Sequence, residues 1–269
     1  MAAPFLCLSA PLAAPDDPAH APRATKSAAG CPGPAAELKL AVPQRMQYRD
    51  IPRAVSTTLA AFAADPLNRF LKDTPDSAPP NARTRAARTA LLYAQAADDV
   101  RSGALWTVAH GASYLRLGDP LHAPDALARA VARLVAGLTL RTLTRMQRAR
   151  YDAFVRAANA AIADALGDAV ADMLLVDGLA TAPACQGRGY ARALVRVATD
   201  LADARSTRSW LVSSNAANRG FYGACGFRGV RTFYLGADDA TWTRAPVPID
   251  IVSSFRAECV WVGGADGAV

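Results

Sequence analysis

The stretch Leu179-Ala-Thr-Ala-Pro-Ala-Cys-Gln-Gly-Arg-Gly-Tyr-Ala191 changes character halfway along. An apolar run of strand type is broken at Pro183. Gln186-Gly187-Arg188-Gly189-Tyr190-Ala191 then opens a predicted amphipathic helix over 187–204, with Ala191, Leu194, Val195, Ala198 and Leu201 inward. Glycines let the chain turn tightly and let an anion reach backbone N–H groups. A helix N-terminus adds about half a positive charge, and Arg188 and Arg192 add full charges beside it. The segment suits a diphosphate. It is not a Rossmann loop, because Arg192 occupies the third glycine position of G-x-G-x-x-G. A Walker loop is excluded too, since no Gly-Lys-Ser/Thr occurs.

Outward from this point the chain reads as alternating short strands and helices. Upstream lies a strand over Met173–Thr181; downstream come a strand over Trp210–Ser213, a short helix from Asn215 to Gly226, and strands over Phe227–Leu235 and Val247–Phe255. Nearer the N-terminus the pattern predicts a strand over Leu38–Tyr48. A helix follows from Asp50 and Pro52, with Val55, Leu59 and Phe62 at helical spacing, and it ends in a turn at Asp65-Pro66. A polar loop over Asp73–Asn81 leads to a helix over Ala82–Arg101. Ala104–Ala109 and Ser113–Leu117 read as strands joined at His110-Gly111, and Pro124–Ala171 is strongly helical.

About thirty residues beyond the glycine loop stands Asn215-Ala-Ala-Asn-Arg-Gly-Phe221-Tyr222-Gly-Ala-Cys-Gly226-Phe227. Together with Gln186-Gly-Arg-Gly189-Tyr-Ala191, which fits the pattern Gln/Arg-x-x-Gly-x-Gly/Ala, it resembles the GNAT superfamily of N-acetyltransferases over residues 173–235. The resemblance implies an α/β (α+β) fold: a mixed, mostly antiparallel sheet with splayed central parallel strands, Met173–Thr181 and Trp210–Ser213, flanked by helices. The domain would span 38–265 and carry a helical insertion over about 121–171. The resemblance also implies acetyl-CoA as donor and an amine of a small molecule or protein as acceptor. Pantetheine would pair along Leu179, Ala180 and Thr181. The diphosphate would sit on the amides from Gly187 to Ala191, in the loop that also holds Gln186, Arg188, Gly189 and Tyr190. Asn215 and Tyr222 would face the thioester. Ala191 replaces the more common second glycine, and Asn218 stands where a small apolar residue is usual.

Transfer to an amine requires the neutral amine, and a lysine-like amine with a pKa near 10.4 must first lose a proton. Tyr222 matches the tyrosine that often protonates the departing thiolate in this family; the plainer reading is an aromatic packed beside Phe221. For the base, strict alternation puts Leu175, Asp177, Leu179 and Thr181 on one face of their strand. Asp177 is the single carboxylate there, and desolvation would raise its pKa. The other reading is an aspartate bonded to a neighbouring backbone amide. Asp65 and His110 are further candidates. Cys185 lies beside the diphosphate loop, away from the expected thioester carbon, and is not read as a nucleophile. The runner-up for the whole chain is an acyl-CoA-binding sensor or scaffold that transfers nothing.

The 269 residues suffice for one large domain with its own core. Residues 1–37 are Ala, Pro, Ser and Gly with few large side chains, a composition that predicts a disordered leader. The formal charge of +7 suits polyanions, yet the arginines are dispersed with no basic run, so nucleic acid is not expected as a partner. Arg129 and Arg133, then Arg141, Arg145 and Arg148, form stripes that read as a solvated basic face in preference to a phosphate or membrane contact. No apolar run is long enough to span a membrane, and no membrane partner is expected. The apolar segment Pro4–Ala14 lacks a basic n-region, which favours a cytoplasmic location, with the nucleus also open. Five scattered cysteines and three histidines offer no metal-ligand spacing, so no metal is expected.

Overall fold

The structure, a computed structural model, describes residues 42–122 and 124–254. The leader predicted over 1–37 and the last residue of the strand predicted to reach Phe255 lie outside them. Of the strand predicted over Leu38–Tyr48, residues 38–41 also lie outside the described residues, and the rest contains the short strand β1 (Gln44–Arg45). Helix α1 (Ile51–Ala61) starts with Pro52 in its first turn and buries Ile51, Ala54 and Val55.

Asp65-Pro66 is a helix start rather than a turn. Asp65 Oδ1 accepts the Asn68 N–H at 3.0 Å, and Pro66 opens α2 (Pro66–Lys72). Leu67, Phe70 and Leu71, at helical spacing, are all buried. Asn81 caps α3 (Ala82–Arg101) in the same way, accepting from the Thr84 N–H. The hairpin of β2 (Leu105–Val108) and β3 (Ser113–Gly118) turns through Ala109, His110 and Gly111, all at positive φ. A Cβ on Gly111 would lie 2.7 Å from the Asp50 carbonyl oxygen, so only glycine fits there.

Asp125 caps α4 (Ala126–Arg141), and a Thr144/Gln147 capping box starts α5 (Arg145–Leu166). Then follow β4 (Leu174–Thr181), α6 (Tyr190–Ala204), β5 (Ser209–Ser213), α7 (Arg219–Gly223), β6 (Phe227–Leu235) and β7 (Val247–Ser254).

The sheet order is β1-β2-β3-β4-β5-β7-β6, and only β4 and β5 run parallel. Their pairing stops after Leu174↔Ser209 and Leu175↔Trp210. Beyond it β4 stays with β3 as far as Thr181, and β5 stays with β7 as far as Ser213. The two central strands therefore diverge, as the resemblance implies, and leave one edge of β4 without a sheet partner.

Each face of the sheet has its own cover. Leu115 and Leu117 of β3 share a buried cluster with Leu194, Val195 and Ala198 of α6. On the other face Tyr114 packs with Ala54 of α1 and Val100 of α3. At the far end of that face α5 lies over β6 and β7, burying Phe154 and Ala158 with Leu235, Val247 and Ile249. Burying a side chain the size of Phe or Ile contributes about 1.5–3 kcal/mol. Arg150 of α5, almost fully buried, donates to the Phe70 and Asp73 carbonyls and to Asp239 and Thr241, tying α2 to the loop before β7.

A bulge in β4 changes which side chains share a face. Arg116 pairs with Gly178 but Leu117 pairs with Val176, so Asp177 has no partner across the ladder. Cross-strand partners point to the same side of a sheet. Leu179 and Thr181, opposite Leu115 and Ser113, therefore face α6, whereas Leu175 packs with Ile162 and Trp210 on the α5 side. The single face predicted for Leu175, Asp177, Leu179 and Thr181 is thus corrected, because the extra residue shifts the alternation at its centre.

Candidate functional site

Where β4 and β5 diverge, the structure has a cleft of about 880 Å³. Val176 to Thr181 form one wall, and Val212, Ser213, Ser214 and Asn215 form the other. One end is closed by the loop of Gln186, Gly187 and Gly189 and by the start of α6. Phe62 and Asp65, and Phe154 of α5, also line the cleft, and Asp65 meets the β5 wall through the Ser214 hydroxyl.

The loop end has the properties of an anion cradle. Gly187 and Gly189 sit at φ +77° and +79°, where side chains are strained, and a Cβ on either would point into open space. Gly189 is the N-cap of α6 and supplies no side-chain cap, so the N–H groups of the first turn face outward unpaired by it. The Tyr190 hydroxyl is buried with no hydrogen-bond partner, an orphan group on the cleft wall. Arg192 lines the cleft; Arg188 is exposed on the loop and does not. Gln186 donates its amide to the Thr181 carbonyl at 3.4 Å, bracing the loop against the strand.

Along the wall, Leu179, Ala180 and Thr181 pair with β3 through one backbone edge and turn the other toward the cleft. Ser113 fixes this stretch by donating to the Ala180 carbonyl at 3.0 Å and by sharing a hydrogen bond with the Thr181 hydroxyl at 2.8 Å. Asn215 spends its side-chain oxygen on the Ala217 N–H and keeps its amide donors free of that cap. Tyr222 of α7 is buried against Phe221 and Phe227, with ring centroids 5.1 and 6.1 Å away. Burial drives its phenol well above the ordinary range, so the proton stays on oxygen throughout the physiological range. Tyr222 is thus both a packed aromatic and a member of the cleft lining.

The two carboxylates of the cleft differ in setting. Asp177 forms an ion pair with Arg116, whose guanidinium also holds Asp99. The carboxylate is buried, as the strand pattern suggests, but it is paired. Arg116 donates to Asp177 Oδ2. Asp65 is 8% exposed, and burial raises its pKa above the usual carboxylate range in spite of bonds from the Asn68 N–H and the Ser214 hydroxyl. Ser214 Oγ lies 2.7 Å from Asp65 Oδ2 and carries the contact across from the end of β5. His110 pairs with Asp50 at the hairpin turn and lines no part of the cleft.

Sequence reasoning ranks Asp65 low and misses Phe62, Phe154 and Ser214. The Asp-Pro start of α2 is the signal that could have marked Asp65 as a positioned side chain. Nothing local in the sequence brings Ser214 to it.

Residues 152–227 match the model of the acetyltransferase (GNAT) family. Over that segment the chain is similar to the GNAT acetyltransferases. The matched segment begins inside α5 and ends at the first residue of β6, so it contains the divergent strands, the glycine loop and α7. Arylalkylamine N-acetyltransferase 2 from Aedes aegypti aligns over 79% of this chain and 97% of its own, with a TM-score of 0.51 and 13% identity. The Drosophila melanogaster polyamine N-acetyltransferase aligns over 79% and 98%, with a TM-score of 0.47 and 13% identity. The mosquito enzyme shares the GNAT fold with this chain. A search of curated protein sequences finds no match.

Proposed function

We propose that the protein transfers an acetyl group from acetyl-CoA directly to an amine of a small molecule or protein. The observation that carries this reading is one cleft lined both by an anion cradle at Gly187–Ala191 and by a buried carboxylate of raised pKa, Asp65. Acetyl-CoA, when bound, supplies the acetyl group as an activated thioester.

The residues of the chain divide the remaining work. The amides from Gly187 to Ala191, with the N-terminal field of α6, hold the diphosphate, and Arg192 adds charge at the same end. The free edge of Leu179-Ala180-Thr181 takes the pantetheine as an added strand. Asn215 lies on the wall toward the thioester and orients it through its amide donors. Asp65, directly or through the Ser214 hydroxyl, takes the proton that the acceptor amine must lose. Tyr222 returns a proton to the departing thiolate. Asp177, bound to Arg116, shapes the wall at the bulge, and the base is assigned to Asp65 in its place.

Gly189→Glu tests the cradle. The substitution strains a backbone at φ +79° and sets a negative charge where the diphosphate belongs. Acetyl-CoA affinity by calorimetry is expected to fall at least tenfold, about 1.4 kcal/mol, with a circular dichroism spectrum like that of the parent. Equal affinities would put the donor elsewhere.

The function itself is tested by following thiol release from acetyl-CoA with a broad panel of primary amines. Amine-dependent release, with the acetylated amine found by mass spectrometry, is the expected result. Tight acetyl-CoA binding without turnover on any amine would make the domain a sensor.

A further inference from the structure

Helix α4 stands apart from the cleft and the sheet. It packs on α3, buries Ala128 alone among its residues, and lines no part of the cleft. Its outward face is unusual in composition. Leu127, Leu134 and Leu138 are 56%, 62% and 37% exposed, and their spacing of seven and four residues puts them on one flank of the helix. Arg129 and Arg133 occupy the other flank, and Arg141 ends the helix.

These arginines are held but not neutralised. Arg133 donates to the Arg129 carbonyl at 3.1 Å, and Arg129 donates to the Pro124 carbonyl. Among the described residues none of the three has a carboxylate partner, and residues 126–141 contain no Asp or Glu. From the sequence alone the arginine stripes read as a solvated face. Leucines exposed on the same turns change that reading, because a merely solvated face has no use for them.

We propose that the outer face of α4 docks the protein on an anionic lipid bilayer. The leucines enter the boundary between headgroups and acyl chains, and the arginines meet the lipid phosphates and carboxylates at the surface. The helix lies in the plane of the surface, since no described helix is long and apolar enough to cross a membrane. A second copy on this face would bring arginine against arginine with no acid to offset them. Nucleic acid would use the arginines and leave the leucines in water.

The test is sedimentation of the full chain with vesicles of phosphatidylcholine alone, and with vesicles of equal parts phosphatidylcholine and phosphatidylserine. The protein is expected to pellet with the second and stay in solution with the first. Leu134→Glu combined with Leu138→Glu, and separately Arg129→Glu combined with Arg133→Glu, should each lower partitioning at least tenfold. Both pairs are on the outside of the helix, and both should leave acetyl-CoA affinity unchanged. The contrast between the two vesicles is read on the parent protein and needs no variant. Failure to pellet with either vesicle, equal pelleting with both, or no loss in the variants would overturn the proposal. So would a dimer in light scattering that Leu134→Glu dissolves, or duplex DNA bound more tightly than the anionic vesicles.

Discussion

Asp65→Asn is expected to lower kcat/KM for amine acetylation by about a hundred- to ten-thousandfold, the scale of a lost general base. The substitution is mild in structure. Asparagine caps helices as well as aspartate, so α2 keeps its start, and the amide oxygen can still accept from Asn68 or Ser214. What disappears is a group that can take a proton. The pH profile supplies an independent readout. Asp65 must be ionised to act, and burial raises its pKa above the ordinary carboxylate value of 3.8. The rate of the parent should therefore climb with pH through that raised pKa, and the variant should lack this limb. The stability check has a definite sign. A carboxyl whose folded pKa is raised favours folding in its protonated form, and that advantage is lost as pH rises through the folded pKa. At neutral pH the ionised Asp65 costs stability, so the variant should melt no lower than the parent. A variant with parental kcat/KM and an unchanged pH profile would remove Asp65 from the chemistry.

Tyr222→Phe is expected to slow kcat by roughly ten- to a thousandfold, the range for a lost general acid. The ring still fills the space against Phe221 and Phe227, so acetyl-CoA affinity should change little. Burial keeps the phenol protonated, which means the acid form is present at every working pH. A thiolate with a pKa near 8.5 can leave without a proton at some cost. The residual activity of the variant should accordingly rise with pH more steeply than that of the parent. Equal kcat values in the two proteins would leave Tyr222 as packing alone.

The parts of the fold readable in advance are those fixed by local rules. The glycine pair before an amphipathic run marks the start of α6, and Asn215 with Gly226 brackets α7. Helix α3 falls on its predicted residues because its cap, length and breaker at Gly103 are all local signals. The misreadings have physical causes of another kind. Helix α2 has seven residues, too few for periodicity to register, and its stability comes from burying Leu67, Phe70 and Leu71 against distant elements. The bulge at Asp177 depends on how β3 pairs with β4, so strict alternation puts half the strand on the wrong face. Arg116 reaches Asp177 from a neighbouring strand, and Ser214 reaches Asp65 across 149 residues of chain. Such contacts exist only once the sheet has formed. The helical stretch after β3 also divides in a way composition does not reveal: α5 covers β6 and β7 and lends Phe154 to the cleft, while α4 packs chiefly on α3.

The central claim is that acetyl-CoA lies between the divergent strands with its diphosphate on the glycine loop. Amide hydrogen exchange with and without saturating acetyl-CoA tests it most directly, because the free edge of β4 and the first turn of α6 present backbone N–H groups without sheet or cap partners. The account predicts slowed exchange confined chiefly to residues 178–181 and 187–192. Unchanged exchange in both segments with the protein saturated, or protection centred elsewhere in the chain, would contradict it.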